Sequence, residues 1–208
     1  MKKLSSLNLL IFFTSLSLFF SCNNVEKKSI LNEDFDSNTK GWIQEDTDFH
    51  KIEIKDGYYF IQSKDSAYGR TSTRSLDRSY LYSLPEKYSI NTSIEIIQSD
   101  LDTAFCGLIL ESSSFEYEFR FFNTGKVTVE QYSYVTKKWA TYDKVKSLES
   151  EKKVKKFDVE IKVDGWFFDL YVNKKKLVRG KMGAKNWDRL APYAGKFTSI
   201  KVDYLRIN

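Results

Sequence analysis

Two-residue turns set between strictly alternating runs constrain this chain more than any other feature. Phe157, Val159, Ile161 and Val163 alternate with Asp158, Glu160, Lys162 and Asp164, and the run ends on Asp164-Gly165. A period of two sends the four apolar side chains to one side of a strand. Asp-Gly is the signature of a tight hairpin, because both central positions of a type I′ turn need positive φ. The hairpin predicted here pairs Val163 with Trp166, Ile161 with Phe168, Val159 with Leu170 and Phe157 with Val172, all on one face. Asp56-Gly57 predicts a second hairpin, with Ile54 opposite Tyr59 and Ile52 opposite Ile61. Asn123-Thr124-Gly125 predicts a third, with Phe121 opposite Val127 and Phe119 opposite Val129.

The same alternation recurs elsewhere. Tyr88, Ile90, Thr92, Ile94 and Ile96 oppose Ser89, Asn91, Ser93 and Glu95; Phe115, Tyr117, Phe119 and Phe121 oppose Glu116, Glu118 and Arg120. The last run breaks phase, since Ile200 and Val202 have one parity and Leu205 and Ile207 the other. A β-bulge near Asp203-Tyr204 would return all four to one face. No stretch carries a long helical period, and 13 Tyr and 16 Phe suit strands. The predicted fold is therefore all-β: a two-sheet antiparallel β-sandwich of roughly a dozen strands. Helix is expected only as short turns near Lys185 to Leu190. Asp65 to Arg78, poor in apolar residues, reads as a long loop or an edge region.

The N-terminus reads differently. Lys2 and Lys3 precede a mostly apolar run from Leu4 to Phe20, the layout of a secretory signal peptide over residues 1–21. Ser5, Ser6, Asn8, Thr14, Ser15 and Ser17 interrupt the run, which makes it a poor membrane span. Its end, Phe19-Phe20-Ser21-Cys22, resembles the lipobox of bacterial lipoproteins. That resemblance implies a lipid on Cys22 and a membrane partner through the lipid anchor. Residues 22–29 then form a polar tether, and residues 30–208 form one domain. Asn23, not Asp, follows Cys22, which favours the outer membrane of the cell envelope. Net charge is +5, and without Lys2 and Lys3 it is +3, too mild to imply nucleic acid. With Cys22 lipidated, Cys106 is the one remaining cysteine, so no internal disulfide forms.

Catalytic signatures are missing from the sequence. Glycoside hydrolysis needs two carboxylates at a set separation. Glu116 and Glu118 point the same way from one strand, opposite Phe115, Tyr117 and Phe119, and are expected to form a solvated face. If that face is the concave one, they become candidate site acids beside Arg120. A lone histidine, His50, and no Gly-x-Ser-x-Gly elbow argue against a serine triad. Cys106, in an apolar strand, reads as a buried small hydrophobe. Asp34, Asp36 and Asp203 lie in terminal strands and are candidate oxygen ligands for a structural calcium. Trp139, Tyr142 and Trp187 stand in polar surroundings and are candidate platforms for stacking sugars. Trp42, Trp166 and Phe168 read as core, and Tyr132 and Tyr134 could extend either surface.

Several pieces occur in an order that resembles concanavalin A-like (laminin G-like) jelly-roll domains. These are Glu33-Asp34-Phe35-Asp36-Ser37-Asn38-Thr39-Lys40-Gly41-Trp42, Phe105 to Leu110, Tyr117 to Phe121 with the Asn123 to Gly125 turn, Val163 to Asn173, and Val202 to Ile207. The resemblance implies a jelly roll that binds glycans or proteins; some relatives are glycoside or keto-disaccharide hydrolases. Three readings follow: a non-catalytic binding module for glycans or another envelope component, a carbohydrate-active enzyme of the same fold, and a structural or protein-interaction lipoprotein.

Overall fold

The structure, a computed structural model, describes residues 29–64, 70–72, 81–142, 145–148 and 153–208. The signal segment and Cys22 lie outside them. In chain order the strands are β1 (Leu31–Glu33), β2 (Glu45–Asp46), β3 (His50–Lys55), β4 (Tyr58–Ser63), β5 (Arg70–Ser72), β6 (Lys87–Ser99), β7 (Phe105–Glu111) and β8 (Phe115–Phe122). They continue as β9 (Val127–Ser133), β10 (Lys138–Thr141), β11 (Lys156–Asp164), β12 (Phe167–Val172), β13 (Lys175–Lys181), β14 (Arg189–Gly195) and β15 (Thr198–Ile207).

They form two antiparallel sheets. The nine-stranded sheet runs β13-β12-β11-β6-β15-β4-β3-β2, with β1 also paired to β15. The six-stranded sheet runs β10-β9-β8-β7-β14-β5. The apolar sets named above meet between them. Phe119 of one sheet meets Phe168 of the other edge-on, with ring centres 5.5 Å apart, and Phe121 stacks on Phe157 at 5.7 Å. The all-β, two-sheet sandwich expected from the sequence is the fold observed.

Two hairpins have the expected register. Asp56 and Gly57 take φ of 52° and 73°, and Ile54 faces Tyr59 while Ile52 faces Ile61. Phe121 faces Val127, and Phe119 faces Val129. The third differs. Asp164 stays in its strand opposite Phe167, and Val163 faces Phe168, Ile161 Leu170 and Val159 Val172. The loop is Gly165-Trp166, and Gly165 takes φ 60°, the first central position of a type II′ turn. Every partner thus shifts by two residues. Parity survives the shift, so Phe168, Leu170 and Val172 remain core. Trp166 moves into the turn and is exposed, which corrects its assignment to the core.

The closing strand contains the expected bulge. Val202 faces Ile94 and Tyr204 faces Ser93, so Asp203 is the extra residue, and Ile200, Val202, Leu205 and Ile207 are all buried. The short helical turn expected between Lys185 and Leu190 is absent; bends lead there directly into β14. Of Asp65 to Arg78, the described part is β5, an edge strand beside β14; the rest lies outside the described residues.

Candidate functional site

The six-stranded sheet has a face turned away from the sandwich core, and cross-strand register arranges its side chains in rows. Alternation in β8 sends Tyr117, Phe119 and Phe121 inward and Glu116, Glu118 and Arg120 outward. Pairing then fixes the neighbours. Trp139 of β10 faces Tyr132 of β9, which faces Glu116, which faces Glu111 of β7, which faces Arg189 of β14. The next row is Thr141, Glu130, Glu118, Ile109 and Ala191. The third is Thr128, Arg120, Gly107 and Tyr193. Strands lie about 4.8 Å apart, so the first row crosses five strands over roughly 19 Å.

This face is not the solvated surface expected of Glu116 and Glu118. Their exposures are 4% and 1%, and Ile109, Ala191 and Tyr193 are fully buried without belonging to the core between the sheets. Buried carboxylates need partners, and these have them. The Arg120 guanidinium donates to Glu118 through two nitrogens, at 2.6 and 2.8 Å, and reaches Glu130 at 3.0 Å. The Tyr193 hydroxyl lies 3.4 Å from Glu118. It gets there because position 107 is glycine: a Cβ at Gly107 would stand 2.4 Å from the Tyr193 ring. In the first row Arg189 pairs with Glu111 at 3.1 Å. The Tyr134 hydroxyl lies 2.9 Å from Glu111 and 3.1 Å from Glu116. One phenol oxygen therefore sits between two carboxylates. Burial, then the hydrogen bond it donates to Glu111 and the charges of both carboxylates, hold the Tyr134 phenol well above its ordinary pKa.

The row ends in aromatics. Trp139 is 50% exposed, its ring tilted against Tyr132 at 5.0 Å, and Tyr132 meets Tyr134 edge-on at 5.3 Å. Three π-faces thus border a polar, charged patch. Such a face offers stacking surface for an apolar ring face, the partly exposed carboxylates of Glu111 and Glu130 to accept hydrogen bonds from hydroxyls, and the guanidiniums of Arg120 and Arg189 to donate.

The predicted site residues divide accordingly. Trp139, Glu116, Glu118 and Arg120 share this face, and Tyr132 and Tyr134 join it. Trp187 does not. It is fully buried, donates its indole N–H to the Tyr88 hydroxyl at 2.7 Å and meets Tyr117 edge-on. Its polar sequence neighbours, Asn186 and Asp188, lie in a bend that turns the indole inward. Tyr142 follows an outward Thr141 and so faces the other way, its ring packed on Phe168 at 5.6 Å and its hydroxyl donated to the Lys181 carbonyl. Asp34 and Asp36 are exposed and Asp203 occupies the bulge. Among the described residues no three carboxylate, histidine or cysteine side chains gather in a metal-binding group, so these three are not brought together for calcium. Cys106 is fully buried, and burial pushes its thiol far above the usual range, out of reach of nucleophilic chemistry. Glu111, Glu130 and Tyr193 complete the face. Glu130 was readable from the Asn123 to Gly125 hairpin, which sets it opposite Glu118. Glu111 follows from the Ser112-Ser113-Ser114 turn.

No protein-family model matches the sequence, and no curated protein matches it. Solved structures match in shape. One comes from work on the endo-acting O-glycanases that prominent members of the human gut microbiota express to initiate mucin breakdown; its TM-score is 0.59 at 10% identity, over 86% of this chain and 98% of that one. A β-1,3-glucanase from Mycobacterium marinum has a TM-score of 0.51 at 10% identity, over 86% and 98%. The structure of botulinum neurotoxin type C, whose cell entry depends on two ganglioside molecules, has a TM-score of 0.58 at 12% identity, over 88% of this chain and 48% of that one. The chain spans as little as 18% of a matched sialidase. At these identities the likeness is one of fold: this chain is a jelly-roll-type β-sandwich.

Proposed function

We propose that this protein is a lipid-anchored lipoprotein of the cell envelope, held in the outer membrane, whose β-sandwich binds glycans on the outward face of the six-stranded sheet. The observation that carries the binding assignment is the row Trp139–Tyr132–Glu116–Glu111–Arg189. A pyranose ring lays its C–H face on Trp139 and Tyr132, and its hydroxyls find an acceptor in the partly exposed Glu111 carboxylate and a donor in Arg189. The glycanase, glucanase and ganglioside-linked structures of like fold support the ligand class. The Lys2-Lys3 start, the apolar run and Ser21-Cys22 support the anchor.

Binding of the full chain to a glycan array, followed by calorimetry on the best ligand, tests it. Trp139→Ala removes the exposed stacking surface, and affinity falls about ten-fold, the equivalent of roughly 1.4 kcal/mol of lost contact. Trp166→Ala, on the other sheet, leaves affinity unchanged. An array without a single bound glycan, or a Trp139→Ala protein that binds like the parent, refutes the assignment. Metabolic labelling with a palmitate analogue tests the anchor: Cys22→Ser loses the label.

One observation favours a second reading, cleavage of the bound glycan. Glu111 and Glu116 reach the same phenol oxygen, so their carboxylates are close enough for a retaining pair, which stands roughly 5–5.5 Å apart. Glu116→Gln would then bind glycan and release no product. If the parent protein releases no product from a glycan it binds, the face is a binding face alone.

A further inference from the structure

The hairpin between β11 and β12 ends in two exposed aromatics, Trp166 at 44% and Phe167 at 46%. The type II′ turn puts them there: Gly165 takes the positive φ, Trp166 fills the second turn position, and Phe167 starts β12 on its outward face. The turn is held on both sides, by Gly165 N–H donated to the Glu86 carbonyl at 2.9 Å and Met182 N–H to the Trp166 carbonyl at 2.7 Å. Cations surround it. Lys185 lies over the Trp166 ring at 5.0 Å and Arg179 over the Phe167 ring at 5.2 Å. Register sets Lys87 opposite Asp164, Asp164 opposite Phe167 and Phe167 opposite Lys181. With Lys162, five cations stand against four carboxylates, pairing as Lys87 with Asp164, Arg179 with Asp169, Lys185 with Glu86 and Lys162 with Glu160, which leaves an excess of one cation around an apolar tip.

The tip also lies at the end of the sheet from which the N-terminal chain leaves. Leu31 pairs with Ile207, Ile207 with Ile90, and Asn208 exchanges both backbone hydrogen bonds with Ser89. Lys87, two residues further along β6, is beside Asp164 at the hairpin end. From β1 across β15, β6 and β11 to β12 is four strand spacings, roughly 19 Å. The eight residues from Cys22 to Ser29 span at most about 28 Å.

We infer that the Trp166-Phe167 tip docks the domain onto the anionic surface of the bilayer that carries its anchor. The two rings enter the headgroup layer, and Lys87, Arg179, Lys181 and Lys185 meet lipid phosphates. Amphipathic aromatics flanked by Lys and Arg are suited to that layer, and anionic lipid attracts a basic patch within a Debye length. The orientation rests on the lipid-anchor reading. It also turns the glycan-binding face, on the other sheet, away from the tip's contact.

The test is tryptophan quenching by brominated phospholipid, with the full-chain product purified from membranes and reconstituted into vesicles of phosphatidylcholine and phosphatidylglycerol. Trp42 and Trp187 are buried, so in a Trp139→Phe background Trp166 is the exposed tryptophan among the described residues. Brominated lipid is expected to quench its emission. A Trp166→Phe protein should lose most of that quench, and Lys87→Glu with Lys185→Glu, or vesicles without phosphatidylglycerol, should lower it. Protein that floats with the vesicles without quenching, or quenching that survives Trp166→Phe, overturns the inference. Protection of Trp166 by an acidic polysaccharide and not by lipid also overturns it and assigns the tip to a soluble partner. The palmitate label reports separately on the anchor: labelled protein without quenching defeats the docking tip alone.

Discussion

Gly107 carries both the packing of the outward face and the placement of Glu118, and Gly107→Ala tests whether it does so for the reason given. A methyl group there would stand 2.3 Å from the Phe119 carbonyl oxygen and 2.4 and 2.7 Å from two atoms of the Tyr193 ring. The carbonyl belongs to the neighbouring strand, where Leu108 pairs with Phe119, and cannot retreat without stretching the ladder. The ring is fully buried and bounded by Phe105, edge-on at 6.1 Å. Neither obstacle is the free end of a flexible side chain. Forcing extra volume into a tight site costs typically 1–3 kcal/mol, and two rigid obstacles put this one near the top, about 3 kcal/mol. For a domain of this size that lowers the melting midpoint by roughly 6–12 °C. Urea and thermal unfolding measure it. Tyr193→Ala in the same background separates the two obstacles, because it removes the ring and leaves the carbonyl, and a coupling of about 1 kcal/mol or more between the substitutions is expected. A Gly107→Ala protein that melts within a degree of the parent would refute the close approach of Tyr193 across β7 and the route by which its hydroxyl reaches Glu118.

Two more predictions concern the core. Tyr88→Phe removes the acceptor of the Trp187 indole N–H, leaves a buried donor unsatisfied and costs about 1–3 kcal/mol in chemical unfolding. The same tyrosine sets an alkaline limit. Burial pushes its pKa up to about 12, against the opposing pull of the Trp187 hydrogen bond, while the unfolded value is about 10. The folded state therefore holds the proton more tightly. The stabilisation is whole below pH 10 and lost as pH rises through about 12, on the order of 3 kcal/mol. Unfolding midpoints measured between pH 9 and 12 should fall, and fall less in Tyr88→Phe; a flat profile would contradict the burial of this phenol. Tyr117 and Cys106, also pushed up by burial, add to the decline with the same sign.

What the sequence revealed, and what it hid, follows from how far each signal reaches. Alternation is local, so the inward sets of β6, β8 and β11 were legible, and so was the phase break at Asp203, since four buried aliphatics cannot share a face without an extra residue. Turn type was less legible. Asp164-Gly165 satisfies a type I′ pattern, but Gly165 alone takes positive φ, and the loop slid forward by one residue. The slide changed no inward parity except that of Trp166, which is why the fold was predicted correctly while one core residue was misplaced. Polar sequence neighbours were the poorest guide. Trp139 follows two lysines and is exposed, whereas Trp187 stands between Asn186 and Asp188 and is buried, because a bend without ladder hydrogen bonds can rotate a side chain independently of its neighbours.

The hidden part of the site has one cause. Period two says which residues share a face, but whether that face is wet depends on what crosses it from other strands. The carboxylates of Glu116 and Glu118 look solvated in their own strand. Among the described residues, Tyr134, one residue past β9, reaches back over Glu116 to Glu111, and Tyr193, two strands away, lies across Gly107 toward Glu118, and both contribute to burying them. Both reaches need a register that only long-range pairing sets. A glycine and a tyrosine on neighbouring strands have no pattern in common until β7 and β14 are aligned. The same logic distinguishes the outward faces of the two sheets. On the nine-stranded sheet outward cations lie over half-buried aromatics, as at Lys162 over Tyr171 and Lys201 over Tyr58. The six-stranded sheet withdraws two outward carboxylates, Glu116 and Glu118, from water and holds them against Tyr134 and Arg120. Charges desolvated and held in one geometry suit selective recognition, and that supports the proposal of the smaller sheet as the binding face.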